Sequence, residues 1–214
     1  MKTLGIIGAG QLGQQIAHFA ISDNHYGTIV FFDDFTNENI INGFTVLGKT
    51  KDVENEYKRN NFDELIIAIG YKHMSVRKNF FERFKNIIPF GKIIHSTTFI
   101  DSTSQIGKGV IIYPGCIIDA NVMVEDNILV NIGVVISHDS IVGAHSFLSP
   151  RVAIAGFSTI GQCCILGINS TIIDNIEIKE NIKLGAGAVV IKNLNESGLY
   201  VGNPVRFIRA HDSI

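Results

Sequence analysis

What this chain lacks narrows it first. No stretch approaches the roughly 18 consecutive apolar residues that a membrane span needs, so no transmembrane segment is expected. The opening residues Met1 to Ile7 begin like a secretion signal, but Gly8-Ala9-Gly10 and the polar Gln11 end the apolar run too early for one. Cysteine is scarce and odd in number, three in 214 residues. That count argues against a disulfide framework and fits a reducing cytoplasm. Neither sign of charge dominates: 18 Lys+Arg against 20 Asp+Glu leave −2, so there is no global basic footprint for nucleic acid. What remains is a chain 46% hydrophobic and 18% charged, which can bury a real core in one large domain or two small ones.

The first ninety or so residues alternate strand and helix signals. Thr3 to Ile7 is a short β-prone apolar run, and Gln11 to Ile21 carries Leu12, Ile16, Phe19 and Ala20 at helical spacing. Thr28 to Phe32 reads as a second strand ending at Asp33-Asp34, and Asp52 to Asn60 as a polar helix. Leu65 to Ile69 reads as a third strand and Ser75 to Phe84 as another helix. Strands that alternate with helices imply a parallel sheet with crossovers, here a Rossmann-like α/β domain over residues 1–95.

The texture then changes. An aliphatic residue recurs at every sixth position, without a slip, from Ile100 through Ile118, Ile136, Ile154 and Ile172 to Val190. Four residues after each stands mostly a small or β-branched residue, among them Cys116, Ser140, Ser158, Cys164 and Ser170. No helix has a period of six and a plain strand has two. Six residues suit one flat side of a triangular prism, and three sides make an 18-residue coil. Residues 96–214 are therefore expected to form a left-handed parallel β-helix with a C-terminal cap. The glycines that directly follow the aliphatic residue, at 107, 143, 161, 167 and 185, are read as permitting the tight turns. Cys116 and Cys164 fall at small inward positions on different sides, so they read as structural thiols, with no metal site implied.

Gly8-Ala9-Gly10-Gln11-Leu12-Gly13, after a strand and before a helix, is the G-x-G-x-x-G arrangement whose helix N-terminus cradles phosphate. The region before the repeats is too short for two mononucleotide halves. One nucleotide-sugar diphosphate fits it better than a dinucleotide, with Gly10, Gln11, Leu12 and Gly13 around the phosphates. Asp33 or Asp34, at the end of the second strand, is placed to accept hydrogen bonds from a base or ribose.

These segments occur in a definite order, with Ile67-Ala68-Ile69-Gly70 ahead of the repeats. Within them come Ile136-Ser137-His138-Asp139, Leu166-Gly167-Ile168-Asn169-Ser170, Leu184-Gly185-Ala186-Gly187 and Gly202-Asn203-Pro204. Over essentially its whole length the sequence resembles the sugar O-/N-acyltransferase family of the NeuD and PglD type. The resemblance implies a homotrimer with active sites between subunits and acetyl-CoA as co-substrate in the groove between them. It implies His138 and Asp139 as the catalytic pair, and Gly167, Ile168, Gly185 and Ala186 as acetyl-CoA contacts. Phe147 stands where the family often has a second histidine near the acetyl group. Gly70 joins Gly10 to Gly13, Asp33 and Asp34 as the nucleotide-sugar site. The expected activity is N-acetylation of a nucleotide-linked deoxy-amino sugar for surface glycan biosynthesis, with direct transfer and His138 as general base. Two rivals stay open, a sialic-acid type sugar O-acetyltransferase and a non-catalytic nucleotide-sugar-binding protein.

Overall fold

A computed structural model describes residues 1–210; positions 211–214, the end of the expected second domain, lie outside the described residues. The chain divides into two compact units, one spanning Met1–Ile93 and the other beginning at Ile94.

The first unit is a five-stranded sheet with helices. Strands β1 (Thr3–Ile7), β2 (Thr28–Phe32), β3 (Ile40–Ile41), β4 (Phe44–Gly48) and β5 (Glu64–Ile67) lie in the order β3-β4-β2-β1-β5. β1, β2, β4 and β5 are parallel neighbours. Helices α1 (Gln11–Ser22) and α2 (Val53–Lys58) lie between strands, and α3 (Met74–Phe84) follows β5. Leu4, Ile6, Ile7, Phe31, Phe32, Leu65 and Ile66 are all buried, as expected of a parallel sheet covered on both faces. The β3–β4 hairpin is an addition to the expected βα alternation. Its turn is Asn42-Gly43, both residues at positive φ (48° and 83°), and this dipeptide is the strongest short-range hairpin signal.

The second unit is the three-sided coil. From Phe99-Ile100 on, two-residue strands recur every six residues and pair in parallel with the strand 18 residues away. The first face carries Phe99, Ile117, Val135, Ala153, Thr171 and Val189 outward, the second Gln105, Met123, Ile141, Thr159 and Glu177, and the third Ile111, Leu129, Phe147 and Ile165. The inward aliphatics form one continuous core, in which Ile118, Ile136, Val142, Leu148, Ile154 and Leu166 are at most 1% exposed. The serines that follow close the corners: Ser140 and Ser158 each donate a hydroxyl to a carbonyl of the next coil, at Ala155 and Ile173. After the prism, Gly198–Val201 and Arg206–Arg209 form an antiparallel pair at the end of the third face.

The glycine expectation needs correction. The left-handed backbone falls three residues after each aliphatic, at every sixth position from Gly109 to Gly187. The glycines directly after the aliphatic serve a different need. A Cβ on Gly143 or Gly161 would lie 2.6 Å from backbone of the following coil, and one on Gly167 would lie 2.5 Å from the carbonyl of Gly185. They are small because coils approach closely there.

At the left-handed positions Gly or Asn stands at 109, 115, 121, 127 and 133, and again at 169, 175, 181 and 187. Between them come Asp139, His145, Arg151, Phe157 and Cys163. Gly and Asn adopt this conformation most readily, and other side chains less so, at a cost of up to about 1–2 kcal/mol. The strain is therefore concentrated in five consecutive corners.

Candidate functional site

In the first unit the G-x-G-x-x-G turn resolves into three different roles. Gly8 has φ +100° and sits where a Cβ would be 2.8 Å from the Ala68 carbonyl. A Cβ on Gly13 would fall 1.9 Å from the Gly8 carbonyl, so this glycine lets α1 pack onto the turn. Gly10 meets nothing within 4 Å and has an ordinary extended backbone. Its bare backbone faces open space, as close approach of a phosphate requires. Gly10 also caps α1 without a side-chain hydrogen bond, leaving the first N–H groups of the helix available.

A cavity of about 380 Å³ opens beside this turn. Gly8, Gly10, Asp33, Asp34 and Gly70 line it, together with Phe35, Thr50, His73, Val76 and Phe80, which the sequence reading had not singled out. Gln11, Leu12 and Gly13 belong to the first turns of α1. The two aspartates organise the rim. Asp33 accepts the Ala9 N–H on one oxygen (2.8 Å) and the Phe35 and Thr36 N–H groups on the other (2.8 and 3.1 Å). Burial alone would raise its pKa, but these three donors and Lys49 outweigh that and hold the carboxyl below the usual range. Asp34 accepts the Thr50 hydroxyl and N–H. Phe35, pinned by Asp33, stands 95% exposed at the lip.

In the second unit His138 and Asp139 lie at the corner between the first and second faces. His138 Nδ1 is 2.9 Å from Asp139 Oδ2, and both side chains are open to solvent (48% and 38% exposed). A carboxylate can only accept, so Nδ1 carries the hydrogen, and in the neutral imidazole the lone pair is on Nε2. Asp139 is itself fixed by the Asn121 amide of the preceding coil, at 3.1 Å. On the following coil Gly156 provides the space for the ring: a Cβ there would lie 2.7 Å from Cε1 and 2.9 Å from Nε2. Phe157 stands edge-to-face with the imidazole at 5.1 Å.

His145 is different. It is 5% exposed and takes the Asn127 amide N–H at its Nδ1 (2.9 Å), which makes it part of the corner packing. Gly167, Ile168, Gly185 and Ala186 stack on successive coils at the corner between the third and first faces, with Ile168 55% exposed. Within one protomer they therefore occupy a different corner from His138. Phe147 faces outward from the third face yet is only 6% exposed. Burial raises the Cys116 thiol and pushes that of Cys164 up to about 12, so neither is a nucleophile near neutrality. Among the described residues no group of His, Cys, Asp and Glu could hold a metal ion, and no helix is long and apolar enough to cross a membrane.

An α/β unit with a glycine-turn cavity, joined to a prism with an imidazole–carboxylate pair at one corner, defines a class: hexapeptide-repeat β-helix proteins with a nucleotide-fold domain in front. Residues 3–84 match the family model of the PglD N-terminal domain. That match is confined to the first unit. It is 26% identical to the acetyltransferase domain of PglB from Neisseria gonorrhoeae FA1090, with a TM-score of 0.90 over 97% of this chain and 100% of that one. The same PglB domain in complex with acetyl coenzyme A matches at 25% identity and the same TM-score, over 97% and 99% of the two chains. The fold is also that of perosamine N-acetyltransferase from Caulobacter crescentus (23% identity, TM-score 0.90, 98% of each chain). Among curated proteins, UDP-3-O-acylglucosamine N-acyltransferase of Bordetella pertussis is 32% identical over 66 residues. That match spans 31% of this chain and only 18% of the relative's length.

Proposed function

We propose that this protein is an acetyl-CoA-dependent N-acetyltransferase acting on the amino group of a nucleotide-linked deoxy-amino sugar for surface glycan biosynthesis. The observation that carries the reading is the His138–Asp139 pair, 2.9 Å apart at an exposed corner with the neutral ring's lone pair on Nε2. An amine attacks a thioester only without its extra proton, and a neutral imidazole held in one tautomer is suited to take the proton released as the N–C bond forms. Asp139 stabilises the imidazolium that results. The C–S bond then breaks and the proton passes on to the CoA sulfur. In the first unit the cavity and the exposed backbone of Gly10 suit the nucleotide diphosphate.

The likeness over full length to a domain solved with acetyl coenzyme A supports that co-substrate, and the perosamine N-acetyltransferase neighbour supports a nucleotide amino sugar as acceptor. We further propose a homotrimer with active sites at its seams. The His138 corner lies between two faces with exposed apolar residues, Phe99, Ile117 and Val135 on one and Met123 and Ile141 on the other. The corner with Gly167, Ile168, Gly185 and Ala186 is separate from it, so a neighbouring copy is needed to join base and co-substrate. A cytoplasmic location completes the reading.

The test is a panel of UDP-, dTDP-, GDP- and CMP-linked 4-amino-deoxy sugars with acetyl-CoA, followed by release of free thiol and by product mass. One acceptor should gain an acetyl group through an alkali-stable amide. Exclusive acetylation of hydroxyl acceptors, giving an alkali-labile ester, would overturn the N-acetyl assignment; binding of sugar nucleotide without binding of CoA would overturn the enzyme.

A further inference from the structure

Among the five strained corners, Phe157 is the hardest to explain by packing. A bulky aromatic in the left-handed region (φ 56°) is the wrong residue for the backbone. Its ring is 58% exposed, so it is not held there by the core. Asn121 and Asn175, at the equivalent place 18 residues before Asp139 and 18 after Phe157, are the ordinary solution for this corner. What Phe157 does touch is His138, edge-to-face at 5.1 Å with the planes at 84°. The neighbouring Gly156 leaves a notch that the imidazole fills, and Asp139 holds the ring at Nδ1.

We propose that Phe157 is a positioning residue: with Gly156 it forms a seat on the following coil that holds the His138 imidazole in the rotamer where Nδ1 meets Asp139 and Nε2 is left without a hydrogen-bond partner among the described residues. This rests on the reading of His138 as the general base. A half-exposed histidine tied by one hydrogen bond has several accessible rotamers, whereas a ring bounded by carboxylate, glycine notch and aromatic wall keeps one. Misplacement of a catalytic group by about 1 Å can cost about 10²-fold in rate, so the seat is worth a strained corner.

The design of the test follows from the backbone. Asn accepts the left-handed conformation readily, so F157N removes the wall without harming the fold. We expect kcat for the acceptor identified in the sugar-nucleotide panel to fall roughly 10- to 100-fold. KM for acetyl-CoA should stay within about twofold and the melting temperature should hold or rise; F157Y should restore kcat. In ¹⁵N-histidine spectra of the free protein, the Nδ1–H tautomer of His138 should dominate in the wild type and lose ground in F157N. F157G serves as the second variant should F157N fold poorly. H138N separates this proposal from the one beneath it. If H138N is inactive while F157N keeps full kcat and an unchanged tautomer, Phe157 does not position the base. If H138N turns over normally, the base assignment fails and the seat has nothing to hold.

Discussion

Asp33 shows how one side chain sets the shape of a cavity. Its two oxygens tie the glycine turn to the loop after β2 through Ala9, Phe35 and Thr36. Because its pKa is depressed in the folded protein, the stability it contributes is present above the unfolded carboxyl value of about 3.9 and lost as pH falls through the lower folded value. D33N should therefore destabilise the first unit at pH 7 by roughly 1 kcal/mol after allowance for solvent screening. The gap from wild type should close below about pH 4, as thermal melts across pH would show; a constant gap would mean the carboxylate charge is not what matters. The glycines of the same turn divide cleanly. G13A drives a Cβ into the Gly8 carbonyl and should cost about 3 kcal/mol or more. G10A meets no neighbour, so its melting temperature should not change, while KM for the nucleotide sugar rises roughly tenfold. The motif names three glycines alike; only the backbone around them tells which one faces open space.

At the scale of the element, each two-residue strand is too short to stand alone, and stability comes from stacking. Ile136 is fully buried in the column shared with Ile118 and Ile154. I136A should cost about 2–5 kcal/mol by opening a cavity, and the loss should appear as a lower midpoint in urea unfolding of the prism. The register was readable because an inward aliphatic every sixth residue has a direct geometric cause. The corner was read less well, since the glycine after the aliphatic attracted attention while the conformational demand falls two residues later. The clue was present: Gly and Asn fill that place at 109 to 133 and at 169 to 187, and the interruption at 139 to 163 marks the strained corners. Gly156 and Phe157 were missed as neighbours of His138 because they are adjacent to it only through the stacking, 18 and 19 residues on. The β3–β4 hairpin went unread despite Asn42-Gly43, because Ile40–Ile41 is too short to show strand periodicity.

For the molecule as a whole, the order of its two units and the nature of each were legible, since one follows helix and strand alternation and the other a period of six. The assembly is a matter of surfaces, which a sequence of one chain shows only indirectly. Ile117 is outward and exposed on the first face, so I117K should leave the monomer nearly as stable as before. Sedimentation should find a trimer for the wild type and a monomer for the variant, with acetyl transfer lost alongside. A monomeric wild type with full activity would remove the seam from the proposal.

The constant 18-residue pitch sets a rule for how such a protein can change in length. Duplicating one whole turn beneath the histidine corner would carry it about 4.8 Å along the axis with its compass bearing intact. Six residues more or fewer would swing it by a third of a revolution onto a different side. Viable insertions between Phe99 and Val135 should therefore come in eighteens, or bulge out at a corner and leave the winding untouched.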